Sequence, residues 1–421
     1  MGNRLSRDVV VIGAGIIGLC SAYYAAEKGF KVTVVDQNPE GADSCSTGNA
    51  GMIVPSHFVP LAAPGMVGMG LRMMLNPKSP FAFRIPPSAE QVAWSISFMR
   101  HANAKHVADS ETILRDLNLT SRKLYECLAE DLGIGYQLVK RGLLMLCRKQ
   151  ETLDAEAHLA ERAQQIGVGA SIHDLDGLKK LDPDVTMDVI GGVLCEDDCH
   201  LTPQNLLAAL RTKLKESGAT FLFNEAVTAI EPKADKTEVK TKSGKTLSAD
   251  QVVIAGGVFS KDLAQKLGLK LPMMAGKGYS MTLANPVETP QLCSLLIEAR
   301  VAVTPMQNGV RFGGTMELGE PSNEINRNRV QGIIDSIPQY FPKFKPADFE
   351  NQPVWFGFRP CSPDGLPYVG RITRHPNVIV ATGHSMMGLS LGPVTGMLVA
   401  EILGNEALSL PIDQLNPNRY A

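Results

Sequence analysis

The chain opens with two short apolar runs that frame a glycine-rich turn. Residues 8–12 are apolar after the first position, 13–18 read Gly-Ala-Gly-Ile-Ile-Gly, and a second apolar run at 31–35 ends at Asp36. Helical periodicity predicts a helix over 17–28, between the runs. The order strand, glycine turn, helix, strand and acid is typical of a dinucleotide-binding unit.

Each glycine of this turn has a physical role in such a unit. Gly13 allows the tight turn, Gly15 lets backbone N–H groups approach a pyrophosphate, and Gly18 lets the helix pack close to the strand. The helix N-terminus then presents its positive dipole end to the phosphates. Asp36 follows at the spacing, about 20 residues, at which a carboxylate accepts from ribose hydroxyls. The turn alone fits NAD as well as FAD.

The remaining pattern alternates between helical spacing and short apolar runs. Helices are predicted at about 88–103, 106–132, 151–166, 203–217, 323–339 and 391–403. Strands are predicted at 143–147, 220–223, 226–231, 236–242, 251–255, 273–283, 300–315 and 378–381. Residues 57–87 are rich in Pro, Gly and Met and have no clean period.

Parallel-type strands with helices thus lie at the start, middle and end of the chain, and mixed strands fill the gaps. A length of 421 residues also favours two domains. We therefore predict an α/β fold: a discontinuous Rossmann-like cofactor-binding domain, with a second, mixed β-sheet substrate domain inserted twice. The predicted bounds are 7–135, 200–270 and 355–421 for the first domain, and 136–199 and 271–354 for the second.

Composition excludes several classes of function. The net charge of −2 gives no basic surface for nucleic acid, and no run reaches the 18 or so apolar residues of a membrane span. The polar N-terminus predicts no secretory signal. The 8 cysteines are scattered, which predicts free thiols in a reducing, cytoplasmic compartment. Cys195, Cys199 and His200 lie close together but lack a second ligand pair, so no metal site is predicted.

Three distant segments share the glycine-rich character of the first turn. Residues 13–18, 255–260 and 382–396 each follow a predicted buried strand. In an open α/β sheet, ligands bind outside the carboxyl ends of the strands. A cofactor that contacts all three segments is long and buried, which favours FAD over a dissociable nicotinamide. The last segment opens a helix whose N–H groups can stabilise a reduced, anionic flavin.

A candidate for substrate binding lies in the rigid run 357–370. Arg359 precedes a proline there, and its planar fork of donors matches a carboxylate. An ion pair with a nearby acid is the structural alternative, and the residues by themselves leave both open.

The chain resembles the D-amino-acid oxidase superfamily, and within it the bacterial D-amino-acid and hydroxy-D-proline dehydrogenases. The resemblance covers nearly the whole chain and rests on motifs in the same order. These are the 13–18 turn, the loop 46–53 (Ser-Thr-Gly-Asn-Ala-Gly-Met-Ile), 62–65 (Ala-Ala-Pro-Gly), 277–282 (Lys-Gly-Tyr-Ser-Met-Thr), the Gly-Phe-Arg-Pro run at 357 and the segment from Gly383-His384.

The resemblance implies noncovalent FAD and a set of residues around it. Asp36 would hold the adenosine ribose, Val227 would contact the adenine, and Gly388 and Leu389 would lie near the flavin pyrimidine. The full set of predicted cofactor-binding residues is Gly13, Gly15, Ile16, Ile17, Gly18, Asp36, Gln37, Ser46, Thr47, Asn49, Ala50, Gly51, Met52, Val227, Ala255, Gly256, Gly257, Arg359, Gly388, Leu389 and Ser390.

The resemblance also implies oxidation of the Cα–N bond of a small D-amino acid or cyclic imino acid. Arg359 would bind the substrate carboxylate, and Tyr279 is a second candidate for the pocket. His57 and His200 are further candidates, although a lone histidine is more often structural. The loop after Met52 and the segment 385–393 depart from the better-known dehydrogenases, which leaves the side-chain preference open.

The electron acceptor is the last open question. A dehydrogenase would pass electrons to a quinone or another carrier, whereas a sarcosine- or glycine-type oxidase would use O2. A flavoprotein subunit that mainly assembles with partner chains is the alternative from another class. The apolar, Met-rich stretch 61–83 can contact a membrane surface peripherally or a quinone, or simply pack on the core.

Overall fold

The computed structural model describes residues 7–74, 76–133, 138–233 and 235–421. Within them the helices are α1 (Ile16–Glu27), α2 (Met66–Met74), α3 (Ala89–His101), α4 (Ala104–Leu132), α5 (Gln150–Gln165), α6 (Leu175–Leu181), α7 (Pro203–Glu216), α8 (Ser260–Lys266), α9 (Arg327–Tyr340) and α10 (Gly392–Gly404). Short 3-10 helices cover Gly257–Phe259, Pro346–Phe349, Asp413–Leu415 and Pro417–Tyr420.

The strands of the same residues form four sheets. They are β1 (Asp8–Ile12), β2 (Lys31–Val35), β3 (Met52–Ile53), β4 (Phe81–Phe83), β5 (Leu143–Cys147), β6 (Ala170–Asp174), β7 (Gly191–Cys195), β8 (Cys199–His200), β9 (Thr220–Leu222), β10 (Val227–Pro232), β11 (Thr237–Thr241), β12 (Thr246–Ala249), β13 (Gln251–Ile254), β14 (Met274–Leu283), β15 (Cys293–Leu296), β16 (Val301–Met306), β17 (Gly309–Gly319), β18 (Trp355–Cys361), β19 (Tyr368–Ile372) and β20 (His375–Thr382).

A six-stranded sheet of order β19-β20-β13-β1-β2-β9 forms the centre of the first half of the fold. All its neighbours pair in parallel except β19, which is antiparallel to β20. On one face α1 packs against α10, with α4 and α7 beside them. A Cβ at Gly396 of α10 would lie 2.6 Å from the Cys20 carbonyl, so glycine there permits the close crossing of the two helices. The small sheet β10-β11-β12 and α8 cover the other face.

The large sheet has the order β18-β14-β17-β16-β15-β5-β7-β6, and β4 pairs in parallel with β17. It mixes parallel and antiparallel neighbours. Apolar side chains of α9 cover one face through Val330, Ile333 and Ile337, which join the core with Met281 and Phe312. The predicted fold class, a Rossmann-like α/β domain with a second mixed sheet, is confirmed.

The predicted domain bounds stay a prediction, and the boundary at 135–136 lies outside the described residues. Two short segments of the predicted cofactor-binding domain pair into the large sheet. They are β4 and β18, and β18 lies directly beside β14. The chain therefore passes between the two sheets more often than the apolar pattern indicates.

The structure refines three regions of the sequence pattern. The strand region predicted over 300–315 consists of β16 and most of β17, which form a hairpin because Gly309 turns the chain at φ +130°. The helix predicted from 323 begins at Arg327, since Asn326 is extended and donates its backbone N–H to Tyr279 Oη at 3.1 Å. The aperiodic stretch 57–87 contains α2 and β4.

Candidate active site

A cavity of about 1480 Å³ meets the carboxyl ends of β1, β13 and β20 on one side and the large sheet on the other. The three glycine-rich segments predicted to share a ligand all contribute to its wall. The predicted site residues in this wall are Gly13, Gly15, Ile16, Ile17, Asp36, Gln37, Ser46, Asn49, Ala50, Met52, His57, Val227, Ala255, Gly256, Gly257, Tyr279, Arg359, Gly388 and Leu389.

The first glycine turn is built as its sequence indicates. Gly13 has φ +111°, and a Cβ there would lie 2.5 Å from the Ala255 carbonyl oxygen, so the turn requires glycine. The Asp36 carboxylate accepts from the backbone N–H of Ala14 at 2.7 Å and of Asn38 at 2.8 Å. It thereby closes the turn at the end of β2 and lies in the cavity wall.

Four predicted cofactor residues do not line the cavity, and their role in binding stays a prediction. A Cβ at Gly18 would lie 1.9 Å from the Gly13 carbonyl oxygen, and one at Gly51 would lie 2.2 Å from that of Leu201. Thr47 Oγ1 accepts from the backbone N–H of Ser44 at 2.8 Å. Ser390 Oγ accepts from Val54 N–H at 3.0 Å and donates to Asn118 at 2.8 Å. All four residues therefore lie behind the cavity wall and pack against it.

The loop 46–52 is held by a buried arginine that the sequence analysis missed. Arg311, on β17, donates to the carbonyl oxygens of Thr47 at 3.0 Å and Asn49 at 2.7 Å, and to Thr282 Oγ1 at 3.1 Å. Burial lowers the pKa of Arg311 to about 10, against a smaller opposing effect of Asp43. A charged residue between Val310 and Phe312, within the predicted strand region 300–315, was the available signal.

The loop is also covered by the ring of Trp355, which sequence reasoning did not single out. A Cβ at Gly48 would lie 2.0 Å from Trp355 Cδ2, so only glycine lets the indole lie on this backbone. Ser280 Oγ, on the neighbouring strand β14, donates to the Gly48 carbonyl at 3.0 Å. The loop is therefore fixed against the large sheet from both β14 and β18.

We expect Arg311→Met to weaken FAD binding roughly 10- to 100-fold, because the loop loses two hydrogen bonds from a charged donor, each worth about 1.5–3 kcal/mol, and about half of that loss is expressed in the binding of FAD. Fluorescence titration of the apoprotein with FAD measures the change. Arg148→Met, which removes a surface arginine beside Asp188, is the matched control. An unchanged dissociation constant in Arg311→Met would contradict this role of Arg311.

The C-terminal segment presents backbone donors to the cavity at the start of α10. Two hydroxyls of α4 fix it: Tyr125 Oη donates to the Leu389 carbonyl at 2.5 Å, and Ser121 Oγ to the Ser390 carbonyl at 2.6 Å. Within the described part of the chain, the N–H groups of Gly388 and Leu389 have no acceptor. They are free to donate to a ligand.

Arg359 lies on β18 with its guanidinium over the backbone of Gly278. A Cβ at Gly278 would lie 2.2 Å from Arg359 Nη1, so the glycine provides the space for the guanidinium. Nη1 donates to the Thr315 carbonyl at 2.8 Å, and Thr315 has an unusual φ of +68°. Among the described residues no carboxylate pairs with Arg359. The remaining guanidinium donors are therefore open to the cavity.

The structure does not bring the Tyr279 hydroxyl to Arg359. Successive side chains of a strand point to opposite faces, and Gly278 and Ser280 face the loop and Arg359. Tyr279 lies among the core residues on the α9 side, and its hydroxyl donates to Glu317 Oε1 at 2.5 Å. The hydroxyl is thus engaged, although Tyr279 also borders the cavity.

The two candidate histidines occupy different places. His57 lines the cavity, and its Nδ1 lies 3.1 Å from Ser56 Oγ. His200 is not in the cavity wall; it pairs with Met52 between β8 and β3. Burial lowers the pKa of both rings to about 4, so both are neutral near pH 7. In the described residues no group of three or more His, Cys, Asp or Glu side chains is arranged to hold a metal ion.

The cavity wall fits FAD at both ends of that molecule. Asp36 offers carboxylate oxygens to ribose hydroxyls at one end, and the free N–H groups of Gly388 and Leu389 offer donors to the flavin pyrimidine at the other. The volume also exceeds the roughly 300–1,000 Å³ of ordinary small-molecule sites.

Comparison with known proteins agrees with this geometry. The model of the DAO family, described as FAD dependent oxidoreductase, matches residues 8–402. The chain belongs to the DAO family of FAD-dependent oxidoreductases. As in that family, FAD is the cofactor, and the residues above are those that would hold it.

Solved structures with this fold share little sequence with the chain. Glycine oxidase from Geobacillus kaustophilus is 22% identical with a TM-score of 0.78, covering 99% of this chain and 100% of its own. L-proline dehydrogenase from P. horikoshii is 20% identical with a TM-score of 0.72, covering 99% and 98%. L-amino acid deaminase from Proteus myxofaciens is 16% identical with a TM-score of 0.72, covering 99% and 94%. At these identities the likeness shows the fold.

Proposed function

We propose that this DAO-family protein oxidises the Cα–N bond of a small D-amino acid or cyclic imino acid, such as D-proline or hydroxy-D-proline. The observation that carries the proposal is the Arg359 guanidinium, which borders the cavity without a carboxylate partner in the described residues. A planar fork of donors is suited to a substrate carboxylate. The product would be an imine, hydrolysed to a 2-oxo acid or retained as a cyclic imine.

Arg359 contributes by fixing the substrate. Its Nη1 is held by the Thr315 carbonyl, so the guanidinium plane is oriented before a substrate arrives. A carboxylate bound to the remaining donors would have its Cα–H directed into the cavity, and such positioning is a large catalytic contribution. Arg359 acts without the Tyr279 hydroxyl, which is engaged by Glu317. Bound FAD supplies the two-electron acceptor that takes the hydride from Cα.

The experiment that tests this function is anaerobic mixing of the FAD-loaded protein with single amino compounds. The panel contains D- and L-amino acids, proline and hydroxyproline isomers, glycine and sarcosine. Bleaching of the flavin absorbance by D-amino or cyclic imino acids is the expected result. Bleaching by none of the panel would overturn the proposal, and bleaching by glycine or sarcosine alone would favour the amine oxidase alternative.

For the electron acceptor, we propose a lipid-soluble quinone reached from a membrane surface. Seven large apolar side chains are exposed and also border the cavity, so its mouth has an apolar rim. The rim comprises Leu71, Ile85, Val92, Ile96, Met99, Phe259 and Met386. Exposed apolar patches of this kind mark interaction sites. Among the described helices none is long and apolar enough to span a bilayer, so the proposed contact is peripheral.

Val92, Ile96 and Met99 of this rim lie along one side of α3, at the i, i+4 and i+7 spacing of a helix face. We expect Val92→Ser/Ile96→Ser to reduce binding to phosphatidylethanolamine–phosphatidylglycerol vesicles roughly 30-fold, since burial of each side chain in the membrane contributes about 1 kcal/mol and a tenfold change is about 1.4 kcal/mol. Co-sedimentation measures the change. Leu159→Ser/Ile172→Ser alters two equally exposed residues away from the cavity and should bind as the unmodified protein does.

Equal vesicle binding by both double variants would contradict the rim as a membrane contact. Reoxidation of the substrate-reduced protein tests the acceptor separately. Faster reoxidation by a quinone analogue than by O2 is expected, and the reverse order would indicate an oxidase.

A further inference from the structure

A hydrogen-bonded chain of three side chains leads from the cavity wall into the protein interior. His57 Nδ1 lies 3.1 Å from Ser56 Oγ, and Ser56 Oγ donates to Asp198 Oδ2 at 2.6 Å. The Ser56 backbone N–H donates to Asp198 Oδ1 at 2.9 Å, so both carboxylate oxygens are engaged by one residue. Asp198 is fully buried in the turn between β7 and β8.

The direction of the hydrogen bonds fixes the state of the histidine. An ionised Asp198 only accepts, so the Ser56 hydroxyl proton points to it and Ser56 Oγ must accept from His57 Nδ1–H. The neutral ring then carries its lone pair on Nε2. No group of the described residues hydrogen-bonds that nitrogen, and His57 borders the cavity.

We propose that His57, Ser56 and Asp198 form a proton relay that takes the proton of a substrate ammonium group from the cavity to the buried carboxylate. The inference rests on the proposed oxidation of an amine, in which hydride can leave Cα only when the nitrogen is neutral. It assigns His57 as the group that contacts the substrate nitrogen. Ser56 and Asp198 are the positioning residues behind it.

Each N–H or O–H bond that breaks in this relay is matched by one that forms, and no electrons pass to or from the protein. The substrate N–H bond breaks as Nε2–H forms on His57; Nδ1–H then breaks as a new O–H forms on Ser56, whose original proton passes to Asp198 Oδ2. The nitrogen keeps its electron pair. The relay ends with neutral His57, a neutral hydroxyl and a protonated Asp198.

The environment of each group suits its place in the chain. Burial lowers the pKa of His57 to about 4, so the ring passes a proton on rather than holding it. Burial raises the pKa of Asp198 to about 7, opposed by the hydrogen bonds from Ser56, so the carboxylate can hold a proton near neutral pH. Asp197 raises that pKa further and Arg122, on α4, lowers it.

Among the described residues, the other titratable groups that interact with Asp198 are thiols whose pKa burial raises, so they carry no charge near pH 7. They are Cys195, Cys199 and Cys293. The thiol of Cys195 also contacts Ser56.

Protonation of Asp198 reverses the direction of the hydrogen bonds between Asp198, Ser56 and His57. Its carboxyl then donates to Ser56 Oγ, Ser56 donates to His57 Nδ1, and the ring proton resides on Nε2. The resting protein should therefore change the tautomer of one histidine with a midpoint near 7, the pKa of Asp198. This property needs no substrate and can be measured in the FAD-loaded protein.

Nitrogen NMR of the FAD-loaded protein, with ring-labelled histidine, tests the reversal directly. His57→Gln assigns the His57 signals among those of the 8 histidines. We expect the protonated and unprotonated ring nitrogens to exchange places between about pH 5.5 and 8.5, and Ser56→Ala and Asp198→Asn each to abolish this change. A wild-type ring that keeps one tautomer throughout would overturn the relay, whatever the substrate is.

The pH profile of anaerobic flavin reduction, with a substrate found in the panel above, tests the relay in turnover. In Ser56→Ala the acidic limb of this pH profile should move up by at least one pH unit, toward the pKa of the free amine. The rate of flavin reduction at neutral pH should fall roughly tenfold or more. Ser56→Thr keeps the hydroxyl and should restore the profile. Ser336→Ala, whose hydroxyl bonds to its own helix at Ile333, is the control.

A purely structural Ser56 would lower the rate without moving the limb, and that result in both Ser56→Ala and Asp198→Asn would overturn the relay. These outcomes are distinct from failure of the proposed function. If no amino compound bleaches the flavin, amine oxidation is wrong, while the NMR measurement still decides whether the three side chains exchange protons.

Discussion

Arg359→Leu is expected to retain FAD but to lose roughly 10²- to 10⁴-fold in the second-order rate of flavin reduction by an amino acid. The loss follows from two charge-assisted hydrogen bonds to the substrate carboxylate, each worth about 1.5–3 kcal/mol, with about 1.4 kcal/mol per tenfold change. Anaerobic stopped-flow measurement over a range of substrate concentrations gives the rate and the apparent affinity.

Arg359→Lys is the matched variant, because lysine keeps the positive charge but not the planar fork. An intermediate loss is expected for it. Flavin content and the thermal midpoint of each variant control for folding, since the Arg359 bond to the Thr315 carbonyl is also removed. Wild-type kinetics in Arg359→Leu would show that the carboxylate is bound elsewhere.

Asp198→Asn is expected to stabilise the fold increasingly as pH rises from about 4 to about 7. The ordinary Asp pKa is 3.8, and the folded value is about 7 because Asp198 is buried. Between these values the folded protein holds a proton that the unfolded chain has released, so the stability of the wild type falls with rising pH. Asparagine removes this dependence and can still accept from the Ser56 backbone N–H.

The shift of about 3 units in the pKa of Asp198 corresponds to at most about 4 kcal/mol, fully expressed above pH 7. Thermal midpoints of both proteins at constant FAD concentration measure it. Ser56→Ala should raise the pKa of Asp198, because the hydroxyl that lowers this pKa is lost. The stability of this variant should therefore continue to fall up to a higher pH than that of the wild type. A difference between Asp198→Asn and wild type that does not vary with pH would contradict this account.

The glycine-rich part of the cavity wall could be predicted because local sequence determines it. Gly13, Gly15 and Asp36 lie within one strand–turn–helix–strand unit, where backbone conformation and short spacing determine which atoms meet. The 255–257 and 388–389 segments were found for the same reason, since each follows a buried strand. Glycine identity is informative there because a Cβ would collide, as at Gly13 with Ala255.

The support behind the site could not be predicted, because its contacts join residues far apart in sequence. Arg311 reaches Thr47 and Asn49 across more than 260 positions, and Ser56 meets Asp198 across 142. Tyr279 belongs to a recognisable motif, but the pleat of β14 turns its hydroxyl to the α9 side while Gly278 faces Arg359. A shift of one residue along a strand reverses the face, and no local pattern revealed which face borders the cavity.

The sequence by itself determined the nucleotide-binding unit and the α/β class, and it singled out Arg359 as a candidate. Local apolar periodicity and backbone sterics decide those features, and both are readable within about 20–30 residues. Only the tertiary structure decided which polar groups lie behind the wall, that β4 and β18 join the large sheet, and that His57 is backed by Ser56 and Asp198. Such pairings depend on burial and sheet register, which arise from long-range packing.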